Sequence, residues 1–459
     1  MGRQRKYSGF LRLSASAMFL AGALLTLAAR GVTAEKQNAT QLIALAKSNS
    51  PGLAEAIAAS LDAKALKEGK AWAGRGTDFF FASEADSEPA LFIDDAAGPK
   101  MKAMAGSKLW YAAAKIEGVG KMHSFYYMVQ GKRIGGSVDV PAFTPISYLE
   151  PGVPTGTLSP KLVHTSKIYD GMRSDYWIYV PAQYQAETAA ALMVFQDGGG
   201  YIARDGDKLV LNVIDNLIAQ KKIPVMICVF INPGDISEAP GTPTYKFVKA
   251  YGEKWNRDLK DSMRSTLYDT VSDRYGRFLR DEILADVSAK YNIRKDAYSR
   301  AITGLSSGGI CAFNLAWQMP EQFSRVISWI GSFESIQWKE DPANVDGGQD
   351  YPNKVLREPK RNIRVWLQDG SGDLELRYGS WPMANIRMAN ALKQTKHDFH
   401  FSFGKGTHNP AHGAVEFPEE MIWLWRDYDA SRTEQTYEME KSEAEKPLFR
   451  VAIVNRDAE

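Results

Sequence analysis

The sequence predicts an α/β protein with a mainly parallel sheet covered by helices on both faces, preceded by a small all-β sandwich. Three observations carry this. From about residue 161, apolar β-type runs alternate with helical segments, the pattern of parallel strands joined by crossover helices. Between residues 77 and 148, short β-type runs recur every ten to fifteen residues between turn formers, as in a sandwich. At Gly304-Leu-Ser-Ser-Gly308 a G-x-S-x-G turn stands between an apolar run and a helix-like run.

In chain order, residues 1–12 are basic, and Leu13 to Ala29 are almost wholly apolar or small. The run closes on Val32-Thr33-Ala34, with small residues at the two positions a signal peptidase reads. An apolar run of this length is at the lower limit for spanning a bilayer. Residues 1–34 are therefore expected to be a cleaved signal peptide. The mature chain is expected in the periplasm or the medium, with no stable membrane insertion after cleavage.

That segment holds five basic residues (Arg3, Arg5, Lys6, Arg12 and Arg30) and no acid. Without it, the 56 Lys and Arg become 51 against 54 Asp and Glu. A mildly acidic chain has no global field to hold a polyanion, so nucleic acid is excluded as a partner.

Residues 35–76 read as a helical segment, with Leu53, Ile57, Leu61 and Leu66 at helical spacing. Residues 77–148 form the expected sandwich, with Gly131-Lys132 as a hairpin turn. Pro151, Gly152, Pro154, Gly156 and Pro160 mark a linker over 149–160. The catalytic domain is expected over 161–428. Its strands are Tyr176–Val180, Ala191–Phe195, Val225–Phe230, Arg300–Thr303, Val326–Ile330, Ile363–Leu367 and Phe399–Phe403. Residues 429–459 are a charged tail, read as solvated.

The two cysteines, Cys228 and Cys311, read as buried free thiols. The six histidines show no HExxH-like spacing, so no metal is expected, and no step asks for a cofactor.

In a strand–turn–helix the serine of G-x-S-x-G is held on a sharp turn, and the flanking glycines remove side chains that would collide. Ser306 is the expected nucleophile. A serine needs a base and the base an orienting acid, in the order Ser, acid, His. His408 lies in the loop after the strand Asp398–Phe403 and is preferred as base over His412 on the same loop. His397 and His400 flank or sit within that strand, as packing residues. Asp373 is preferred as acid over Asp369, because Asp369 stands at the strand end as a turn former. Acyl transfer also needs two backbone N–H donors for the oxyanion, expected from Ser307 and from Gly199 in Asp197-Gly-Gly-Gly-Tyr201. Tyr201 and Trp381, with Trp255 and Trp338, are candidates for a substrate wall.

These pieces together resemble the enterochelin-esterase-like branch of the α/β-hydrolase esterases, the group that also holds carbohydrate esterase family one. The resemblance covers most of residues 160–428. It rests on Phe195-Gln-Asp-Gly-Gly199, Tyr275-Gly-Arg-Phe-Leu-Arg-Asp-Glu-Ile-Leu284, Gly304-Leu-Ser-Ser-Gly-Gly309, Gln368-Asp-Gly-Ser-Gly-Asp373 and Gly406-Thr-His408 with its Trp423-Leu-Trp425 helix. It implies nucleophile, acid and base roles for Ser306, Asp373 and His408, and an immunoglobulin-like fold for the sandwich. Leu267 departs from the pattern, since relatives usually carry Glu there.

The function expected is an exported serine esterase acting through an acyl-enzyme on a small-molecule or carbohydrate ester, with acyl or feruloyl esters of carbohydrates leading. The alternatives are a siderophore ester hydrolase, an acyltransferase using the same triad, and a catalytically inert glycan-binding protein.

Overall fold

The computed structural model describes residues 38–235, 263–337 and 347–451, with the backbone of the short pair Ser237–Ala239 and Thr242–Pro243. The expected signal peptide, Trp255 and Trp338 lie outside the described residues.

The first helix, Ala39–Lys47, starts on a reciprocal cap in which Asn38 and Gln41 each bind the other's backbone N–H. With Leu53–Ser60 and Ala63–Lys67 it buries Leu42, Ile43, Leu53, Ile57 and Leu66 against Phe80 and Tyr111 of the sandwich. The helical stretch is shorter than expected, because its end, Ala71–Arg75, is already the first strand.

One sandwich sheet runs Ala71–Arg75, Asp78–Glu84, Leu109–Lys115, Lys102–Ala103; the other runs Ala96–Ala97, Ala90–Ile93, Lys121–Val129, Lys132–Ala142. Lettered in chain order these are A-B-E-D and C′-C-F-G, the immunoglobulin-like order. Phe79-Phe80-Phe81 shows why three successive aromatics are all buried. Phe79 and Phe81 point between the sheets, whereas Phe80 points to the helices on the outer face. At the Lys121–Val129/Lys132–Ala142 hairpin, Gln130 (φ 49°) and Gly131 (φ 78°) both adopt positive φ, the geometry of a type I′ turn.

The main strands of the second sheet are labelled β1 (Leu162–Thr165), β2 (Arg173–Val180), β3 (Ala191–Gln196), β4 (Met226–Ile231), β5 (Arg300–Leu305), β6 (Arg325–Trp329), β7 (Arg364–Gly372) and β8 (Asp398–Thr407). Their spatial order is β1-β2-β4-β3-β5-β6-β7-β8, parallel from β4 onward, with β2 antiparallel to both neighbours. Thr157–Leu158, inside the expected linker, pairs with β2, so the linker is stitched to the sheet.

Both faces are dry. On β3, Leu192 and Val194 enter one core, while Ala191, Met193 and Phe195 enter the other. The first core lies under helices Ser307–Gln318 and Trp381–Gln394, the second under Val210–Ala219 and Ala411–Leu424. Cys228 and Cys311 are free and buried, one in each core, and burial pushes both thiols above their ordinary pKa.

The C-terminal segment corrects the expectation of a solvated tail. Tyr437 is 1% exposed; its hydroxyl lies 3.0 Å from Ser324 Oγ and its ring 4.8 Å from the Arg364 guanidinium. Asn362 exchanges hydrogen bonds with Gln435 and Tyr437, and Phe449 packs on Phe401. The polar sequence hides a few anchors, each matched to a partner on the hydrolase domain. Tyr437→Ala should therefore lower unfolding stability by about 3 kcal/mol. Urea unfolding checks this; a solvated tail would give a change within about 0.5 kcal/mol.

Candidate active site

The carboxyl ends of β5, β6, β7 and β8 lie side by side, and a loop from each converges on Ser306. Ser306 itself has φ 60° and ψ −120°, a strained conformation for a residue with a side chain. Backbone bonds hold it there: Ser306 N–H donates to Trp329 O at 2.9 Å, and Ser332 N–H donates to Ser306 O at 3.1 Å. A Cβ at Gly304 would collide with the backbone of Gly308, so the glycine lets the helix start close on the strand end.

His408 Nε2 lies 2.9 Å from Ser306 Oγ, and His408 Nδ1 lies 2.5 Å from Asp373 Oδ1. Asp373 is buried; the imidazole is partly exposed. Proton positions follow from donor inventory. Trp381 Nε1 can only donate, and it donates to Ser332 Oγ at 3.1 Å. Ser332 is thereby free to donate to Ser306 Oγ, 3.2 Å away, and Ser306 to donate to His408 Nε2. Nδ1–H then faces a carboxylate that only accepts. The chain of donors runs one way and ends at Asp373.

The competing residues fall elsewhere. His412 sits on the helix Ala411–Leu424, bound to Gln368 at 3.0 Å and Glu416 at 2.9 Å. His400 stacks on Trp366 at 4.0 Å, and His397 is buried, with desolvation pushing its pKa down to about 4. Asp369 lies under Asp373 with Gly370 N–H and Asn385 Nδ2 each 2.7 Å from its carboxyl. Burial, and then the hydrogen bond and charge of Asp373, hold Asp369 well above the usual carboxylate range. The Oδ2 of Asp373 has no hydrogen-bond partner among the described residues.

Two expected roles need correction. The Gly199 N–H is not a free oxyanion donor, because it donates to Asn232 Oδ1 at 2.8 Å. Tyr201 is 2% exposed and packs on Phe195 and Trp329 in the core, so it forms no substrate wall. Trp381 is also buried, but at the site: its ring meets His408 edge-on at 5.8 Å. Ser307 begins the helix Ser307–Gln318 beside the nucleophile.

Sequence reasoning missed Ser332, Asn385, Arg264 and Glu334. Arg264 grips Asp197 through two 2.8 Å bonds and also donates to Leu305 O, bracing the turn that carries Ser306. Glu334, two residues past Ser332, is pushed up to about 7 by burial. Gly379, whose Cβ position would overlap the Glu334 carboxylate, has φ +139°, a conformation strained for any residue with a side chain. None of the four carries a sequence signal, since a single polar residue in a loop or on a helix has no periodicity to betray its role.

Residues 171–424, more than half of the chain, match the family model described as putative esterase. The chain belongs to that family. It is an esterase, a hydrolase of carboxylic esters. The esterase is similar in structure to the enterochelin esterase of Shigella flexneri (14% identity, TM-score 0.48, covering 77% of this chain and 95% of that one). It is also similar to the ferric enterobactin esterase of Salmonella typhimurium (15%, TM-score 0.46, 76% and 93%). A third likeness is the feruloyl esterase module of Clostridium thermocellum complexed with sinapinate (17%, TM-score 0.42, 62% and 93%). No curated protein matches the esterase.

The raised Asp369 pKa has a stability consequence with a definite sign. The native state keeps a proton that the unfolded chain releases above about pH 4, so this contribution is full at acid pH and is lost as pH rises through the native value. Asp369→Asn, always neutral, should remove that loss. Its urea midpoint relative to the parent should rise between pH 5 and pH 9; a constant difference would mean that Asp369 is ionised.

Proposed function

We propose that the esterase works through a Ser306–His408–Asp373 triad and an acyl-enzyme. The observation that carries this reading is the one-way chain of donors through Ser306, with His408 Nε2 at 2.9 Å to receive the hydroxyl proton. Ser306 Oγ attacks the ester carbonyl carbon as its proton passes to His408. The tetrahedral intermediate then expels the alcohol, protonated by the same imidazole. Water, deprotonated by His408, attacks the acyl-enzyme and releases the acid. Asp373 holds the imidazole in the tautomer this needs.

The Ser307 N–H, at the positive end of a twelve-residue helix, serves as one oxyanion donor. Within the ester class we assign acyl or feruloyl esters of carbohydrates, on the motif resemblance to carbohydrate esterase family one. The leader at residues 1–34 supports export to the periplasm or the medium.

A short-chain aryl ester tests the mechanism. The purified chain should turn it over, and Ser306→Ala and His408→Ala should each cut kcat by about 10³-fold or more while remaining folded. An unchanged rate in Ser306→Ala would remove the nucleophile and the mechanism with it. Given turnover, a panel of feruloyl, acetyl-sugar and catecholate esters ranks the substrates by kcat/KM.

A further inference from the structure

We propose that the immunoglobulin-like domain is part of the catalytic apparatus: through Asp139 it clamps Thr407 and so positions His408. The inference rests on the triad reading. Asp139 lies on the last sandwich strand, Lys132–Ala142, 268 positions from Thr407. Its carboxylate accepts from Thr407 N–H at 2.9 Å and from Thr407 Oγ1 at 2.6 Å. Both bonds land on the residue immediately before the proposed base.

The loop is fixed on the other side of the histidine as well. Asn409 Nδ2 donates to Thr407 Oγ1 at 2.9 Å, so the threonine hydroxyl accepts from Asn409 while its own proton goes to Asp139. Asn409 N–H donates to Thr407 O at 2.8 Å, and Asn409 Oδ1 accepts from Ala411 N–H at the start of the following helix. His408 is thus flanked by two residues bonded to each other, and the pair is anchored outward through Asp139. From the sheet side, Thr407 pairs only with Gly372, past a register shift where the regular β7–β8 ladder has lapsed. The sheet alone holds this loop weakly, and the sandwich supplies the missing restraint. An ion pair across this seam, Lys405 with Asp95, is 4.0 Å long and exposed at both ends, and such pairs fix little.

Asp139 touches no reacting atom, so it is a positioning residue. Displacing a catalytic group by about 1 Å can cost as much as ~10²-fold in rate.

The test uses the full chain and the same aryl ester. Asp139→Ala should lower kcat by about 10-fold or more with KM within about twofold, whereas Asp139→Asn, which keeps an acceptor for the Thr407 N–H, should retain most of the rate. Asp86→Ala, an exposed sandwich residue paired with Lys108, serves as the control and should match the parent. A purely structural role would shift the unfolding midpoint alone. It would leave unmoved the NMR resonance of the His408 Nδ1 proton, which the clamp predicts will shift or broaden in Asp139→Ala.

A folded Asp139→Ala with parental kcat and parental resonance overturns the proposal. Should that variant fail to fold, Thr407→Val, which removes only the hydroxyl bonds, decides by the same two readouts. If the parent is active and Ser306→Ala is not, a normal Asp139→Ala sinks the clamp and leaves the triad standing. If the parent hydrolyses no ester, the triad reading falls, and the resonance alone decides whether Asp139 positions His408.

Discussion

Everything at the site depends on how closely two backbones approach at the end of the sheet. A Cβ on Gly370 would collide with Gly406, the residue two before His408. With hydrogen there instead, β7 and β8 run on together to Gly372 and Thr407, and their loops deliver Asp373 and His408 to within 2.5 Å of each other. Neither side chain has to stretch, so the pair is set by backbone geometry before any substrate arrives. The same economy recurs at Gly304, where lack of a side chain lets the helix Ser307–Gln318 sit against the strand that precedes it.

The acid of this pair is unusual in its support. Burial, and then the hydrogen bond and charge of Asp373, hold the Asp369 carboxyl well above the usual carboxylate range. Asp373 faces the imidazole, and Asp369 accepts from Gly370 N–H and Asn385 Nδ2. Asn385, on the helix Trp381–Gln394, joins this arrangement to the same element that carries Trp381. One helix therefore serves both ends of the hydrogen-bonded chain: Trp381 through Ser332 at the serine, and Asn385 through Asp369 at the acid.

Much of this was legible in the residues. Every sheet strand anticipated between Tyr176 and Phe403 is present, because buried parallel strands are continuous apolar runs bounded by turn formers. The meeting of Ser306, Asp373 and His408 was legible because each sits at a fixed offset from glycines that a sharp turn requires. The tail was not legible, since a charged segment with a few anchors such as Tyr437 and Phe449 looks the same as a solvated one. Tyr201 misled for the opposite reason: a tyrosine beside a glycine-rich loop looks like a wall, but the loop folds it inward onto Trp329. The bond from Gly199 to Asn232 joins segments distant in sequence, which no local pattern encodes. Asp139 and Ser332 matter only through where tertiary contacts place them.

The two thiols have a practical meaning. Cys228 and Cys311 each lie at the centre of a separate core, fully covered and with reactivity suppressed by desolvation. They face opposite sides of the sheet, so folding leaves them nothing to join and nothing to react with. The native architecture therefore stands without a disulfide. A thiol-reactive dye added to the protein would report the opening of one core or the other, which turns two inert residues into separate gauges of how the two faces of the sheet come apart.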